Sequence, residues 1–274
     1  MSSLSLDPAA LRDAAARLAE IAVSAGAAIM RIYAEPVEAR AKADGSPLTA
    51  ADLAAEEVIA AGLATLLPGV PVISEEAAIT AEGLGAGGET FVLVDPLDGT
   101  KEFLSRTDEF TVNIALIAGG APRAGVVYAP ALSRLWLGAV GAGAEVREVA
   151  PAADGAVVRA AASRPARVRV RPSSGLVAVA SRSHLDPETQ AFLDALPIAE
   201  RRSIGSSLKF CLVAEGQADV YPRFGPTMEW DTAAGHAVLA AAGGRVTLPD
   251  GTTPLSYGKA AAGYRNGAFI CWGG

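Results

Sequence analysis

The sequence predicts an α/β protein built from layered helices and sheets (α+β layered), and three observations lead there. Apolar runs of strand length interleave with helix-length segments in both halves of the 274-residue chain. Aspartate, threonine, proline and glycine punctuate those segments where helices start and stop. Hydrophobic residues make up 51% of the chain and mean hydropathy is +0.31, enough for a substantial core.

The elements follow in order. Asp7 suits an N-cap with Pro8 at the first helical position, and Leu11, Leu18, Ile21 and Ile29 recur at near-helical spacing. A second helix is expected from about Ala50 to Leu67, ended by Pro68-Gly69. Strand-like runs follow at 70–73, 91–95, 110–117, 124–128 and 133–139, separated by Gly and Pro. Residues 141–175 then change character to Gly, Ala and Pro with scattered arginines. They suggest two α/β halves, 1–150 and 151–274, forming one catalytic unit. Within them Arg167-Val-Arg-Val-Arg171 alternates with period two. It reads as a basic strip for phosphate or, preferably, as an edge strand protected by its charges. Beyond it come a buried-type strand at 176–181, helices at 186–195 and 206–215, and a strand at 218–222. A helix over about 232–242 stops at Gly243-Gly244, and strands near 245–248 and 268–272 close the chain.

Composition excludes several functions. Cys211 and Cys271 belong to no C-x-x-C pair, which argues against a disulfide framework or a cysteine zinc site. His184 and His236 are the only histidines, so a metal site must be built from oxygen ligands, as suits Mg²⁺, Mn²⁺ or Ca²⁺. A net charge of −7 argues against a nucleic acid polymer as partner, while a small anionic substrate remains compatible. No stretch of about 18 residues is free of polar interruption, so no membrane span is expected. The start M-S-S-L-S-L-D-P lacks the features of a signal peptide, and a cytoplasmic location is the expectation.

The chemistry concentrates in carboxylates. Asp95-Pro-Leu-Asp98-Gly99-Thr100 follows the apolar run Val92–Val94, at the strand end where ligands bind in open α/β sheets. Pro96 stops regular pairing and Gly99 permits a turn; a self-satisfying Asx turn would explain both. Haloacid-dehalogenase phosphatases place two aspartates at i and i+2, whereas here they stand at i and i+3, so that mechanism is disfavoured. Ser74-Glu75-Glu76 ends a second apolar run, and Glu75 meets Asp95 if the two strands are neighbours. Thr49-Ala-Ala-Asp52 reads as a capping box, yet Asp52 shares a helical face with Ile59, Leu63 and Leu66 and so points inward. Asp231, in Glu229-Trp-Asp-Thr-Ala-Ala-Gly235, reads as the N-cap of the next helix. Four carboxylates converging at Glu75, Asp95, Asp98 and Asp231 repel one another unless cations compensate, and two metals are a known clamp for phosphoryl transfer.

These motifs resemble the three signatures of the inositol monophosphatase superfamily of Mg²⁺-dependent, lithium-sensitive phosphatases. Residues 42–52, 95–103, 109–117 (E-F-T-V-N-I-A-L-I) and 205–216 (G-S-S-L-K-F-C-L-V-A-E-G) resemble its 3'(2'),5'-bisphosphate nucleotidase branch, the CysQ type. Arg265-Asn-Gly-Ala-Phe269 departs from the family's N-P-x-F ending. The resemblance implies an αβαβα sandwich like those of inositol monophosphatase and fructose-1,6-bisphosphatase. It implies two to three Mg²⁺ ions, the first held by Glu75, Asp95 and the Leu97 carbonyl and the second by Asp95, Asp98 and Asp231. It implies that Thr100 and Asp52 orient and deprotonate the attacking water, and that Gly99 and Thr100 hold the phosphate. His184, Ser206, Lys209 and Arg223 would select the nucleotide.

The implied activity is removal of the 3'-phosphate of adenosine 3',5'-bisphosphate, and of 3'-phosphoadenylyl sulfate, by a cytoplasmic monomer or homodimer in sulfur metabolism. The alternatives are an inositol or sugar monophosphatase on the same scaffold, and a non-catalytic Mg²⁺-dependent phosphate sensor. Lys101-Glu102 favours the nucleotidase, and the Asp52–Thr100 pair disfavours the sensor.

Overall fold

The Asp7 carboxylate accepts hydrogen bonds from the backbone N–H groups of Ala9 (3.0 Å) and Ala10 (2.9 Å), and helix α1 runs Pro8–Tyr33 behind it. This capping follows from Asp and Pro at the first two positions. The computed structural model describes residues 5–36, 40–41, 47–78, 90–181 and 186–274. After α1, a two-residue ladder joins β1 (Arg40–Ala41) to β2 (Pro47–Leu48), and α2 (Ala50–Leu66) leads to β3 (Val72–Ser74) and α3 (Glu75–Ala78). Strand β4 (Thr90–Asp98), α4 (Thr100–Leu104), β5 (Thr111–Ala118), β6 (Ala121–Ala129), β7 (Arg134–Ala139) and β8 (Gly143–Glu148) follow. A helical turn, α5 (Val157–Ala160), precedes β9 (Ser163–Ala166). The remaining chain holds β10 (Leu176–Ala180), α6 (Pro187–Asp194), β11 (Ile198–Ser203), α7 (Leu208–Ala214), β12 (Val220–Arg223) and β13 (Thr227–Met228). It ends with α8 (Glu229–Ala241), β14 (Arg245–Thr247), β15 (Arg265–Asn266) and β16 (Phe269–Trp272).

Strands β3 to β9 form one sheet in sequence order, parallel at β3–β4 and antiparallel elsewhere. The second sheet has the order β11-β10-β12-β16-β14. Side-chain alternation along the first sheet sets the layers. Val92, Val94, Ile114, Leu116, Val126 and Leu137 face α1 and α2, joining Leu18, Ile29, Ile59 and Leu63 in one core. Phe91, Leu93, Ile117, Val127 and Trp136 face the other way onto α7 and α8, which also meet Val179, Tyr221 and Phe269 of the second sheet. Leu193 of α6 covers the outer face, on Leu176, Val220 and Ile270. The order helix, sheet, helix, sheet, helix is the αβαβα sandwich that the resemblance implies.

Helix α8 can lie flat on the first sheet because glycines replace side chains beneath it. A Cβ on Gly125 would stand 2.7 Å from Ala237 Cβ and 2.9 Å from the Ala234 carbonyl, and one on Gly138 would stand 2.8 Å from Val238 Cα. Among the described residues no helix is long and apolar enough to cross a membrane.

Two features differ from the sequence reading. Arg167–Arg171 forms no strand: β9 ends at Ala166, and Val168 N–H then bonds to the Ala242 carbonyl while Arg169 pairs with Asp219 through two hydrogen bonds (2.8 and 2.6 Å). The alternation thus serves one ion pair that ties this crossing to the second sheet. Strand β9, beyond residue 150, still belongs to the first sheet, so the passage between sheets falls at 167–175.

Glu215, at the C-cap of α7, ties that helix to strands β7 and β9 of the first sheet. Its carboxylate, 1% exposed, accepts from Arg134 (2.7 Å), from Trp136 Nε1 (2.6 Å) and from Arg164 of β9. Removing one partner of a buried pair strands the others. Glu215→Ala is therefore expected to cost about 3 kcal/mol of stability, read as a lower urea midpoint with an unchanged slope.

Candidate active site

The cluster begins at the head of α2. Thr49 is the N-cap, and the Asp52 carboxylate Oδ2 accepts from Thr49 N–H (2.8 Å) and Thr49 Oγ1 (2.7 Å), closing the capping box. That leaves Asp52 Oδ1 on the side of the Thr100 hydroxyl, 3.5 Å away, while Thr100 Oγ1 also lies 3.3 Å from the Leu97 carbonyl. Asp52 is buried with Ile59 and Leu63. The capping reading of this aspartate holds on Oδ2, and Oδ1 is the oxygen left facing Thr100.

Strands β3 and β4 are parallel neighbours with Ser74 opposite Val94, so Glu75 and Asp95 leave their strands at the same level. Burial raises the Asp95 carboxyl well above its usual pKa, and Glu75, Asp98, Asp231 and Asp52 raise it further. The three-residue spacing from Asp95 to Asp98 is explained by the ladder to β5. Asp95 pairs with Asn113 and Asp98 with Thr111, so β4 advances three residues while β5 advances two. Pro96 cannot donate to the ladder, and one extra residue bulges out. Residues i and i+3 then face one way, as i and i+2 do in a regular strand. Leu97 N–H bonds back to Asp95 Oδ1 at 3.1 Å, completing the expected Asx turn. Gly99 follows with φ +93°, which suits glycine, and α4 starts at Thr100.

Asp98 lines the cleft yet is hemmed in by protein. Its Oδ2 accepts from Ser207 N–H (2.6 Å), with Asn113 Nδ2 at 3.3 Å and Thr111 Oγ1 at 3.5 Å. Burial lifts its pKa to about 6, with Lys209 acting in the opposite direction.

Asp231 differs from expectation in position. Helix α8 starts at Glu229, not near 232, so Asp231 stands at the third position and Met228 is the N-cap. Its Oδ2 still caps, accepting from Met228 N–H at 2.8 Å. The helix starts early because β13 pairs with β15, fixing Met228 opposite Arg265. Asn266 Nδ2 then holds the first turn through the Met228 carbonyl (3.0 Å) and Thr232 Oγ1 (3.0 Å). Burial, followed by Asp98, raises the Asp231 carboxyl.

Among the described residues these carboxylates do not form a finished metal shell, since their oxygens turn onto Leu97, Ser207 and Met228 N–H groups. The donor set nevertheless fits hard divalent cations: it is all oxygen, buried and mutually repelling, with Lys209 as the cation acting on Asp98.

A cleft of about 280 Å³ opens above this floor, lined by Asp98, Gly99, Thr100, Asp231, Ser206, Lys209 and Arg223. Ser181, Lys101, Glu102 and Thr227 line it too. Asp95, Glu75 and Asp52 are not among its lining residues, and the expected His184 falls outside the described residues. Lys209 is 4% exposed and lies over the Tyr221 ring; its Nζ donates to the carbonyls of Ser206 (2.5 Å) and Ile204 (3.3 Å). Burial lowers its pKa to about 8. Arg223 Nε donates to the Gly225 carbonyl at 3.2 Å. A separate groove of about 990 Å³ between α1 and β7–β9 contains none of the expected site residues.

Sequence reasoning passed over several supporting groups. Glu56, one turn after Asp52, accepts from Ser74 Oγ at 2.5 Å, beside Glu75. Its spacing of four from Asp52 was a usable signal. Asn113, Ser207 and Asn266 lie within 109–117, 205–216 and 265–269, but their partners are distant in sequence.

The profile of the inositol monophosphatase family matches residues 11–270. The chain belongs to that family. Within it, the chain is 48% identical over 243 residues to the 3'(2'),5'-bisphosphate nucleotidase CysQ of Escherichia coli K12, covering 88% of this chain and 92% of that protein. The Haemophilus influenzae CysQ is 31% identical over 239 residues, or 87% and 85% of the two chains. Among solved structures, CysQ from Bacteroides thetaiotaomicron superposes with a TM-score of 0.79 at 40% identity, covering 95% and 97% of the two chains. An inositol monophosphatase from Anabaena gives 0.73 at 28% identity, covering 96% and 92%.

Proposed function

We infer that the chain is a phosphomonoesterase of the CysQ type, a Mg²⁺-dependent 3'(2'),5'-bisphosphate nucleotidase that converts adenosine 3',5'-bisphosphate to AMP and phosphate. The observation that carries this reading is a buried carboxylate floor opening into a cleft walled by two cations, Lys209 and Arg223. One phosphate belongs at the floor and the second anionic group at the wall. An inositol monophosphate has no group for that wall.

In this reading Glu75, Asp95 and the Leu97 carbonyl would hold one Mg²⁺, and Asp95, Asp98 and Asp231 would hold another, two to three ions in all. Bound there, Mg²⁺ neutralises the phosphate and polarises its oxygens. The chain's own groups supply orientation and proton transfer. Gly99 and Thr100 N–H groups hold phosphate oxygens at the turn. Thr100 Oγ1 orients the attacking water, and its proton passes through that hydroxyl to Asp52 Oδ1. Asp52 is held for this by the two bonds on its other oxygen. Ser206, Lys209, Arg223 and His184 select the nucleotide, and 3'-phosphoadenylyl sulfate, with the same 3'-ester, is a second substrate.

The test is phosphate release from adenosine 3',5'-bisphosphate, 3'-phosphoadenylyl sulfate and inositol 1-phosphate, with Mg²⁺ and with EDTA. The nucleotide is expected to win by about a hundredfold in kcat/KM, as follows when a built site loses its charged partner. EDTA should stop all turnover. A preference for inositol 1-phosphate overturns the substrate assignment, and full activity in EDTA overturns the metal assignment.

A further inference from the structure

Two of the stretches that resemble the nucleotidase branch, 109–117 and 205–216, are separated by about a hundred residues and lock together in space. Glu109 Oε2 accepts the Gly205 N–H at 2.7 Å. Two residues on, Thr111 Oγ1 meets Ser207 Oγ at 2.8 Å, and Ser207 Oγ donates to Asn113 Oδ1 at 2.7 Å. Ser207 N–H reaches Asp98, and Lys209 Nζ holds the carbonyls of Ile204 and Ser206. The loop 204–207 is thus fixed at every residue. It needs fixing, because Ser206 has φ +47°, a left-handed conformation that a non-glycine residue adopts at a cost. A Cβ at Gly205 would stand 2.7 Å from Glu102 Cγ and 3.0 Å from the Glu109 carbonyl, so the loop is seated hard against this segment. Of these anchors, Glu109 is not among the residues that line the cleft.

We propose that Glu109 is a positioning residue for substrate selection. By holding Gly205 it sets the distance between the Asp98–Thr100 floor and the wall of Ser206 and Lys209, where the second anionic group of a nucleotide bisphosphate binds. The assignment rests on the nucleotidase reading. A carboxylate serves here because its charge strengthens the bond to a backbone N–H. With the bond gone, Ser206 relaxes toward an ordinary conformation and Lys209 moves with its two carbonyl partners. The floor keeps its own ligands, so chemistry at the scissile ester continues.

The test compares Glu109→Ala and Glu109→Gln on two substrates with the same scissile ester, adenosine 3',5'-bisphosphate and 3'-AMP, which lacks the second phosphate. Backbone amide exchange over 204–209 is followed in the same proteins without substrate. Glu109→Ala is expected to raise KM for the bisphosphate about tenfold, the scale of one charged hydrogen bond. Its kcat, and kcat/KM for 3'-AMP, should stay within about threefold of wild type. Exchange at 204–209 should quicken. Glu109→Gln, whose amide oxygen still accepts from Gly205, should restore both properties. Should Glu109→Ala fail to fold, Glu109→Asp, one methylene too short to reach, gives the same split. Equal losses on both substrates overturn the proposal, as does unchanged exchange, or a glutamine variant as impaired as the alanine one. A wild-type enzyme indifferent to the second phosphate removes the nucleotidase reading and the selection role together. The exchange measurement then judges the Glu109–Gly205 latch alone.

Discussion

Asp95→Asn is expected to abolish phosphate release, by at least about a thousandfold in kcat/KM, and to make the metal-free protein more stable. The two effects share one cause. Asp95 is the buried carboxylate on which Glu75, Asp98, Asp231 and Asp52 all act, and burial adds the largest push. In the proposed assignment it would serve both metal positions, so its loss would remove a ligand from each. Without metal the same charge is a liability. Its folded pKa lies above the unfolded value of about 3.9, so ionisation subtracts stability as pH climbs from about 4 toward the raised value. The asparagine variant escapes that loss, and its Oδ1 still accepts from Leu97 N–H. Scanning calorimetry in EDTA at neutral pH should show a gain of about 1 kcal/mol or more, shrinking to nothing below about pH 4. Added Mg²⁺ should then stabilise the wild type and leave the variant nearly unmoved. A variant that is less stable than wild type in EDTA, or retains a tenth of its activity, defeats this account of the cluster.

The parts of this site that sequence reveals are those set by short-range rules. Asp7-Pro8 and Thr49-x-x-Asp52 fix helix starts within four residues, and each cap forms as read. The apolar run before Asp95 announces a strand end, and the fold class follows from such punctuation. What stays hidden depends on a second strand. A period of two would send Asp95 and Asp98 to opposite faces; only pairing with Asn113 and Thr111 reveals the extra residue that turns them together. Asp231 satisfies capping rules equally well as N-cap or as third helical residue. The ladder between Thr227–Met228 and Arg265–Asn266, some forty residues apart, decides for the third. Arg167–Arg171 has strand periodicity and no strand, because Asp219 claims Arg169 after the chain has left the sheet. Local pattern names the carboxylates, and non-local pairing aims them.

Asp52→Asn is expected to lower kcat by about a hundred- to ten-thousandfold, the usual contribution of a positioned base, while leaving the fold and Mg²⁺ binding intact. The division of labour between its oxygens makes this separation possible. Oδ2 serves the cap, and an asparagine carbonyl placed there still accepts from Thr49 N–H, so α2 keeps its start. The amide that replaces Oδ1 faces Thr100 as a donor and cannot take a proton. Asp52 is no metal ligand in the proposed assignment, so Mg²⁺-induced thermal stabilisation should match wild type within a degree or two. Thr100→Ala should lose a comparable factor, because it cuts the same relay at the hydroxyl. Adding it to Asp52→Asn should then cost little more, the sign of two groups acting as one unit. Thr100→Ser keeps the hydroxyl and should keep most of the rate. If Asp52→Asn turns over within a few-fold of wild type, the proton goes elsewhere and Asp52 is only a cap. If the two losses multiply instead, Thr100 and Asp52 act separately, and the long 3.5 Å approach between them is not a proton path.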